Sequence, residues 1–240
     1  MNFSKRLLTL VVFFLALSAS AATLPKSLTR AEVDGVVSKM GFGGAARLMR
    51  STETYDPFPG IKMGLEVGFI PTNELNTYGD LTGSIPSVTP SPRFYLAKGL
   101  FNGTEIILNF FSPDIIDSLA TIGGILKWNF YKESESWFSS AAYLGYTRVS
   151  AFKGSYTGDD FELGIYASKD YVRVKPYAGG SLLFAHGTVP IENAVSSNTA
   201  WESTLRLFLG LEIEMLANLT IQAELIRFSP AASVLVAAKF

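Results

Sequence analysis

The sequence contains no cysteine and a single histidine, His186. That excludes a disulfide framework, a thiolate metal site and a cysteine nucleophile. Charge is scarce, at 17% of residues, and the basic and acidic counts nearly cancel at 20 and 21. Without a basic excess, nucleic acid is not an expected partner. Long hydrophobic runs are also missing beyond the first residues, so no later stretch reads as a membrane-spanning helix. No phosphate-cradling loop, dinucleotide fingerprint or HExxH motif is present, and no cofactor is expected. Asp114, Asp117, Asp159 and Asp160 lack the spacing of a calcium loop, so no metal site is expected. What is plentiful is glycine (21 residues), aromatics (13%) and hydrophobic residues (48%).

Residues 1–22 read as an export signal. Lys5 and Arg6 give a basic start, Leu7 to Leu17 an apolar run, and Ala19-Ser20-Ala21 small residues for cleavage. The run is too short to span a bilayer as a helix.

From residue 60 the apolar residues recur with period two. Ile61, Met63, Leu65, Val67 and Phe69 alternate with Lys62, Gly64, Glu66 and Gly68. Strict alternation means a strand with two unlike faces. Nine further strands are expected near 93–100, 104–111, 120–131, 137–148, 160–168, 171–185, 201–213, 219–228 and 232–240. Asn102-Gly103 is a hairpin signal, and Ser168-Lys169-Asp170 a second tight reversal. Long connections are expected at 71–92, 112–119, 149–159 and 186–200, alternating with short ones. The link at Ser229–Ala231 is short on the side where the others are long. Pro176 falls inside the seventh strand and predicts a bulge or a later start there.

Two features set the polarity of the sheet. Glycines 64, 68, 99, 123, 145, 164, 179 and 210 share a face with the charges, which a solvated face has no use for and a crowded interior does. The apolar face sorts its aromatics to strand ends. Phe69, Phe94, Phe110, Tyr146, Phe161, Phe184 and Trp201 fall at the long-loop end. Trp128, Phe130, Phe138 and Phe240 fall at the short-turn end. Two aromatic rings flanking an aliphatic band suit a membrane. A sheet in lipid must close. The expected fold is therefore all-β: a closed antiparallel up-and-down transmembrane β-barrel of about ten strands, eight or twelve being the alternatives, occupying residues 60–240.

With its signal segment, its alternating strands and a last strand ending on Phe240, the sequence resembles bacterial outer-membrane β-barrel proteins. The resemblance implies that Phe240 is a barrel-assembly signal, diluted by Ala238 where a larger apolar residue is common. It implies as partners the barrel-assembly machinery, periplasmic chaperones, outer-membrane lipid and lipopolysaccharide.

The inward face is expected to carry Lys62, Glu66, Arg93, Glu105, Lys127, Glu162, Arg173, Lys175, Arg206, Glu212 and Glu224. Opposite signs should pair in such an interior, leaving a narrow or packed lumen. Residues 23–59 form a separate N-terminal segment. Thr29-x-x-Glu32 is a capping box, and Val33, Val36, Val37 and Met40 make an apolar stripe ending at Gly41. This predicts a short amphipathic helix near 29–40. It is read as resting on the periplasmic rim, plugging the lumen or lying in the membrane interface.

The expected role is a structural barrel or a narrow pore for small solutes. One alternative is a channel for hydrophobic, fatty-acid-like ligands with residues 23–59 as hatch, as in long-chain fatty-acid channels. The other is an enzyme on the outer loops. Ten-strand outer-membrane proteases use an acidic pair with an Asp–His pair, and Asp159, Asp160 and His186 are weak candidates. Outer-membrane lipid-modifying enzymes, which use His and Ser, are the second enzymatic comparison for His186.

Overall fold

The computed structural model describes residues 27–53, 60–79, 85–111, 119–131, 138–189, 198–215, 217–227 and 229–239. Residues 1–22, read above as an export signal, and Asp114, Asp117 and Phe240 lie outside these residues. Ten strands follow one helix: α1 (Arg30–Gly44), β1 (Ile61–Pro71), β2 (Val88–Gly99), β3 (Thr104–Phe111), β4 (Leu119–Tyr131), β5 (Ser139–Ala151), β6 (Tyr156–Ser168), β7 (Val174–Thr188), β8 (Thr199–Ile213), β9 (Asn218–Ile226) and β10 (Ser229–Lys239). Each strand pairs antiparallel with its sequence neighbours, and β1 pairs with β10 from Lys62↔Lys239 to Phe69↔Ala232, closing the barrel.

The period-two alternation is realised as two faces. Outside, Ile106, Leu126, Leu144, Leu163, Leu182 and Leu205 are cross-strand neighbours in one line across β3 to β8. All six are exposed. Exposed aromatics flank them. Phe94, Phe110, Tyr146, Phe161, Phe184 and Trp201 stand toward the β1–β2 connection, and Trp128, Phe130 and Phe138 toward the other end. Inside, the charged residues are buried: Lys62, Glu66, Arg93, Glu105, Lys127 and Arg206 are each at most 1% exposed. A soluble protein distributes these residue types the other way. With lipid outside, the β1–β10 pairing joins the two strands that an open sheet would leave as unpaired edges.

The interior glycines have a local cause. Tyr143, Tyr166 and Tyr177 lie directly across from Gly164, Gly179 and Gly210 on the next strand. A Cβ at any of the three would come within 3.0 Å of the facing tyrosine. The crowding is thus met within one wall: the Tyr143 and Tyr177 rings lie over Gly164 and Gly210, and Gly179 is covered by Tyr166 Cβ and the Phe208 ring.

Several boundaries differ from the sequence expectation. The supposed loop 149–159 is mostly strand, and only residues 152–155 connect β5 to β6. The turn is made tight by Phe152 and Gly154, both at positive φ. The second strand begins at Val88 despite Pro90 and Pro92, because β3 pairs with β2 only from Phe94 onward. Proline is tolerated where one strand edge has no ladder to feed. β10 begins at Ser229, so its link to β9 is tighter still. The seventh strand starts at Val174, the later start that Pro176 predicted as an alternative to a bulge, and Pro176 sits near its beginning.

α1 lies inside the barrel, at the end bearing the β1–β2 and β7–β8 connections, not at the rim of short turns. Its capping box is formed: Thr29 Oγ1 accepts from the Glu32 amide, and the Thr29 amide donates to Glu32 Oε2 at 2.6 Å. Val33, Val36, Val37 and Met40 are buried among Ile70, Val149, Leu183 and Ala185. Each such burial is worth about 1.5–3 kcal/mol. The helix passes Gly41 and runs to Gly44. Glycine at 41, 43 and 44 serves close packing: a Cβ would come within 3.0 Å of Ala185, Ile70 and Val149 respectively.

Candidate functional site

Beyond α1 the chain is extended from Ala45 to Glu53 and descends through the lumen. Ala46 bonds Thr147, and further along Thr52 bonds Ser168 at the opposite end of the barrel. From Glu53 the chain is seven residues from β1. The N-terminal segment therefore threads the barrel from the long-loop end to the short-turn end, where β1 begins and β10 ends.

Two arginines of this segment engage the wall. Arg47 Nε donates to Glu224 Oε1 at 2.8 Å and its Nη1 lies 3.8 Å from Glu66. Arg50 donates to Glu105, which also pairs with Lys127 at 3.0 Å. The wall in turn grips the segment's backbone. Arg93 donates to the carbonyls of Ala45 (2.7 Å) and Gly44 (2.6 Å). Arg206 donates to Ala46, Lys127 to Glu53, and Glu212 accepts from the Ser51 amide at 3.0 Å. An extended chain without ladder partners needs such donors and acceptors when buried.

Further charges pair within the wall. Lys62 Nζ meets Glu212 at 2.7 Å, and Arg206 meets Glu162 at 2.9 Å and Glu224 at 3.4 Å. Glu162 also accepts from Tyr143 (2.6 Å) and Ser181 (2.5 Å). At the short-turn mouth Lys175 pairs with Glu53 and with Glu214 at 2.8 Å. Arg173 stands apart. It precedes β7 and is exposed, because the strand starts at Val174 and the residue belongs to the turn. Arg47 and Arg50 were absent from the sequence-based set. They sit on a segment without strand periodicity, so no parity argument reaches them. Two arginines close together in a stretch otherwise poor in charge were the available signal.

Strand parity separates the catalytic candidates. Asp159 and His186 are cross-strand neighbours on the outer face, while Asp160 points inward and is buried. The His186 ring stacks on Trp201 at 4.2 Å, and Asp159 accepts from Tyr146 Oη at 2.6 Å. An acidic pair working together needs both carboxylates on one side, and the two aspartates are on opposite sides of one strand. Among the described residues no cluster of His, Cys, Asp or Glu is arranged to hold a metal.

A closed, even-numbered antiparallel sheet, apolar outside and ionic inside, with an aromatic girdle at each end, is a transmembrane β-barrel of the bacterial outer-membrane type. The chain is similar in fold to the solved structure of Neisserial surface protein A, covering 76% of this chain and 98% of that one at 12% identity and a TM-score of 0.26. It is likewise similar to Ail, the attachment invasion locus protein of Yersinia pestis, covering 75% and 94% at 9% identity and a TM-score of 0.27. No protein-family model and no curated protein matches the sequence.

Proposed function

We propose that the protein is a sealed structural barrel of the outer membrane, its lumen filled by its own N-terminal segment. The observation that carries this reading is the threading of residues 45–53 through the lumen with Arg47 and Arg50 held by wall glutamates. Without the segment, Glu224 loses its closest cation and keeps Arg206 at 3.4 Å beside the Gln222 and Ser233 hydrogen bonds, and Glu66 keeps Arg93 at 3.8 Å as its cation. A buried carboxylate stripped of its partner is costly, so the filled state is strongly preferred. Residues 1–22 act in this reading as the export signal, and Phe240 as the contact for barrel assembly. The lipid of the outer membrane is the partner of the outer face.

The test is conductance in a planar bilayer. The chain beginning at residue 23 is expected to be silent, and a folded chain lacking residues 23–58 to conduct. Steady conductance from the folded full chain would replace the sealed reading with the narrow small-solute pore.

A further inference from the structure

The barrel wall steps down at β3 on the long-loop side. β3 ends on the pair Phe111↔Thr121, while β4 and β5 continue together to Leu119↔Ala151. Beyond Phe111, β4 has no strand on its β3 side among the described residues. A cavity of about 240 Å³ lies at this notch, lined by Phe111, Ala120, Thr121, Ile122, Arg148 and Ser150. Ala120 and Ser150 are cross-strand partners, and so are Ile122 and Arg148 one step below. A small pair next to a large pair on one face of a sheet leaves a hollow. These four residues have the parity of the outer face, which carries the exposed rings of Phe110 and Tyr146.

Arg148 is a cation on a face that is otherwise apolar at this height. Its row across the wall runs through Phe110, Ile122, Arg148 and Asp159. It stands one step beyond Tyr146, a member of the long-loop aromatic girdle. An arginine on the lipid face is costly at the bilayer midplane and nearly free at the boundary. The girdle places Arg148 at that boundary, where lipid headgroups lie.

The guanidinium has no acid of its own. Arg148 is exposed, and among the described residues it has no hydrogen-bond or ion-pair partner. Asp159 is its cross-strand neighbour, yet no ion pair joins them, and Asp159 Oδ1 accepts from Tyr146 Oη at 2.6 Å. The half-buried Ser150 hydroxyl is likewise without a partner among the described residues. A free guanidinium and a free hydroxyl beside one hollow match a tetrahedral anion, since the planar fork of arginine offers parallel donors to phosphate oxygens. The apolar neighbours Ile122 and Phe110 lead from the hollow down into the lipid-facing band.

We infer that this notch is a binding site for the phosphate group of an outer-leaflet lipid. Arg148 donates to the phosphate oxygens from one side and the Ser150 hydroxyl from the floor, and the lipid chains run down over Ile122 and Phe110. A lipid is the occupant because the notch is continuous with the lipid-facing band and its free charge complements an anionic headgroup. The inference rests on the membrane reading of the outer face. It is separate from the sealed lumen, which the conductance test judges.

The probe is dihexanoyl phosphatidate, compared with dihexanoylglycerol and inorganic phosphate. Each is titrated into the folded full-length barrel in an uncharged detergent, and the Arg148 Nε–H and Ser150 amide signals are followed. Phosphatidate is expected to saturate and to bind at least ~10-fold more tightly than either comparison compound, the factor a charge-assisted hydrogen bond supplies. Arg148→Gln is expected to lower its affinity by a similar factor, read at Ser150. Arg173→Gln, which removes an exposed arginine from the short-turn end, is expected to leave it unchanged. Ser150→Phe fills the notch and, read at Arg148, substitutes if the first variant fails to fold. Absence of saturation, undiminished binding in a folded notch variant, or an equal loss in Arg173→Gln would overturn the site. Inorganic phosphate binding as tightly as phosphatidate would replace the lipid by a free anion, and dihexanoylglycerol doing so would leave only apolar partition. Either result contradicts the assignment.

Discussion

The two halves of the N-terminal segment fill the same lumen by different physics. α1, toward the long-loop end, is held by an apolar stripe and by glycines that let it press against the wall. Residues 45–53, toward the other end, are held by buried ion pairs and by wall donors on their carbonyls. Apolar burial is non-directional, so a shifted helix can set its stripe against other apolar neighbours. A buried ion that loses its partner pays its full desolvation cost. The extended stretch is therefore the anchor, and the helix is the cover that the anchor holds in place.

Removing charge from the anchor breaks this comparison most directly. Arg50→Ala strips Glu105 of one of its two cations, and a loss of about 3–5 kcal/mol is expected. The measurement is the urea midpoint of the folded barrel, and a change below the error of that midpoint would mean that the pair is solvated. A smaller effect is expected in the cover. Gly44→Val pushes a side chain into Val149, and overpacking of this kind costs about 1–3 kcal/mol. The same denaturation would read it, together with raised proteolysis near residue 44 as the helix is displaced. The smallest effect is at the helix start. The Thr29 amide, and with it the Gly79 amide, holds the Glu32 carboxyl below its ordinary value of 4.5. A depressed carboxylate contributes stability that is present above that ordinary value and is lost as pH falls through the lowered one. Glu32→Gln should therefore weaken α1 slightly at neutral pH, and the difference from the parent should vanish on acidification. A difference that persists in acid would locate the effect elsewhere.

The strands were legible because alternation runs unbroken through most of them and the Asn102-Gly103 turn fixes one register. Their ends were less so. Pro90 and Pro92 read as the last part of the 71–92 connection, and they are tolerated inside β2 because β3 does not reach them. Positions 149–159 read as a loop because Gly154, Gly158 and Asp159 cluster there, yet only 152–155 turn. Parity also placed Lys62 and Glu66 on one face with Glu212 and Glu224 on theirs, and those faces are the interior. What parity cannot supply is a partner. Arg47 meets Glu224 across 177 positions of sequence, and Lys62 meets Glu212 across 150. Such pairings depend on where the segment lies in the closed barrel, which no local pattern encodes. The same limit hid the notch beside Arg148, since it exists only where β3 ends short of β4 and β5.

The central claim is that the N-terminal segment runs through the barrel and reaches its short-turn end. The native chain has no cysteine, so an engineered pair reports without background. Thr52 Oγ1 and Ser168 Oγ are 2.7 Å apart. Oxidation of the double variant T52C/S168C in intact outer membranes should close one intramolecular disulfide and change the unreduced mobility of the folded protein. Two free thiols that both take up a water-soluble maleimide, with no disulfide formed under oxidation, would place the segment outside the lumen and contradict the account.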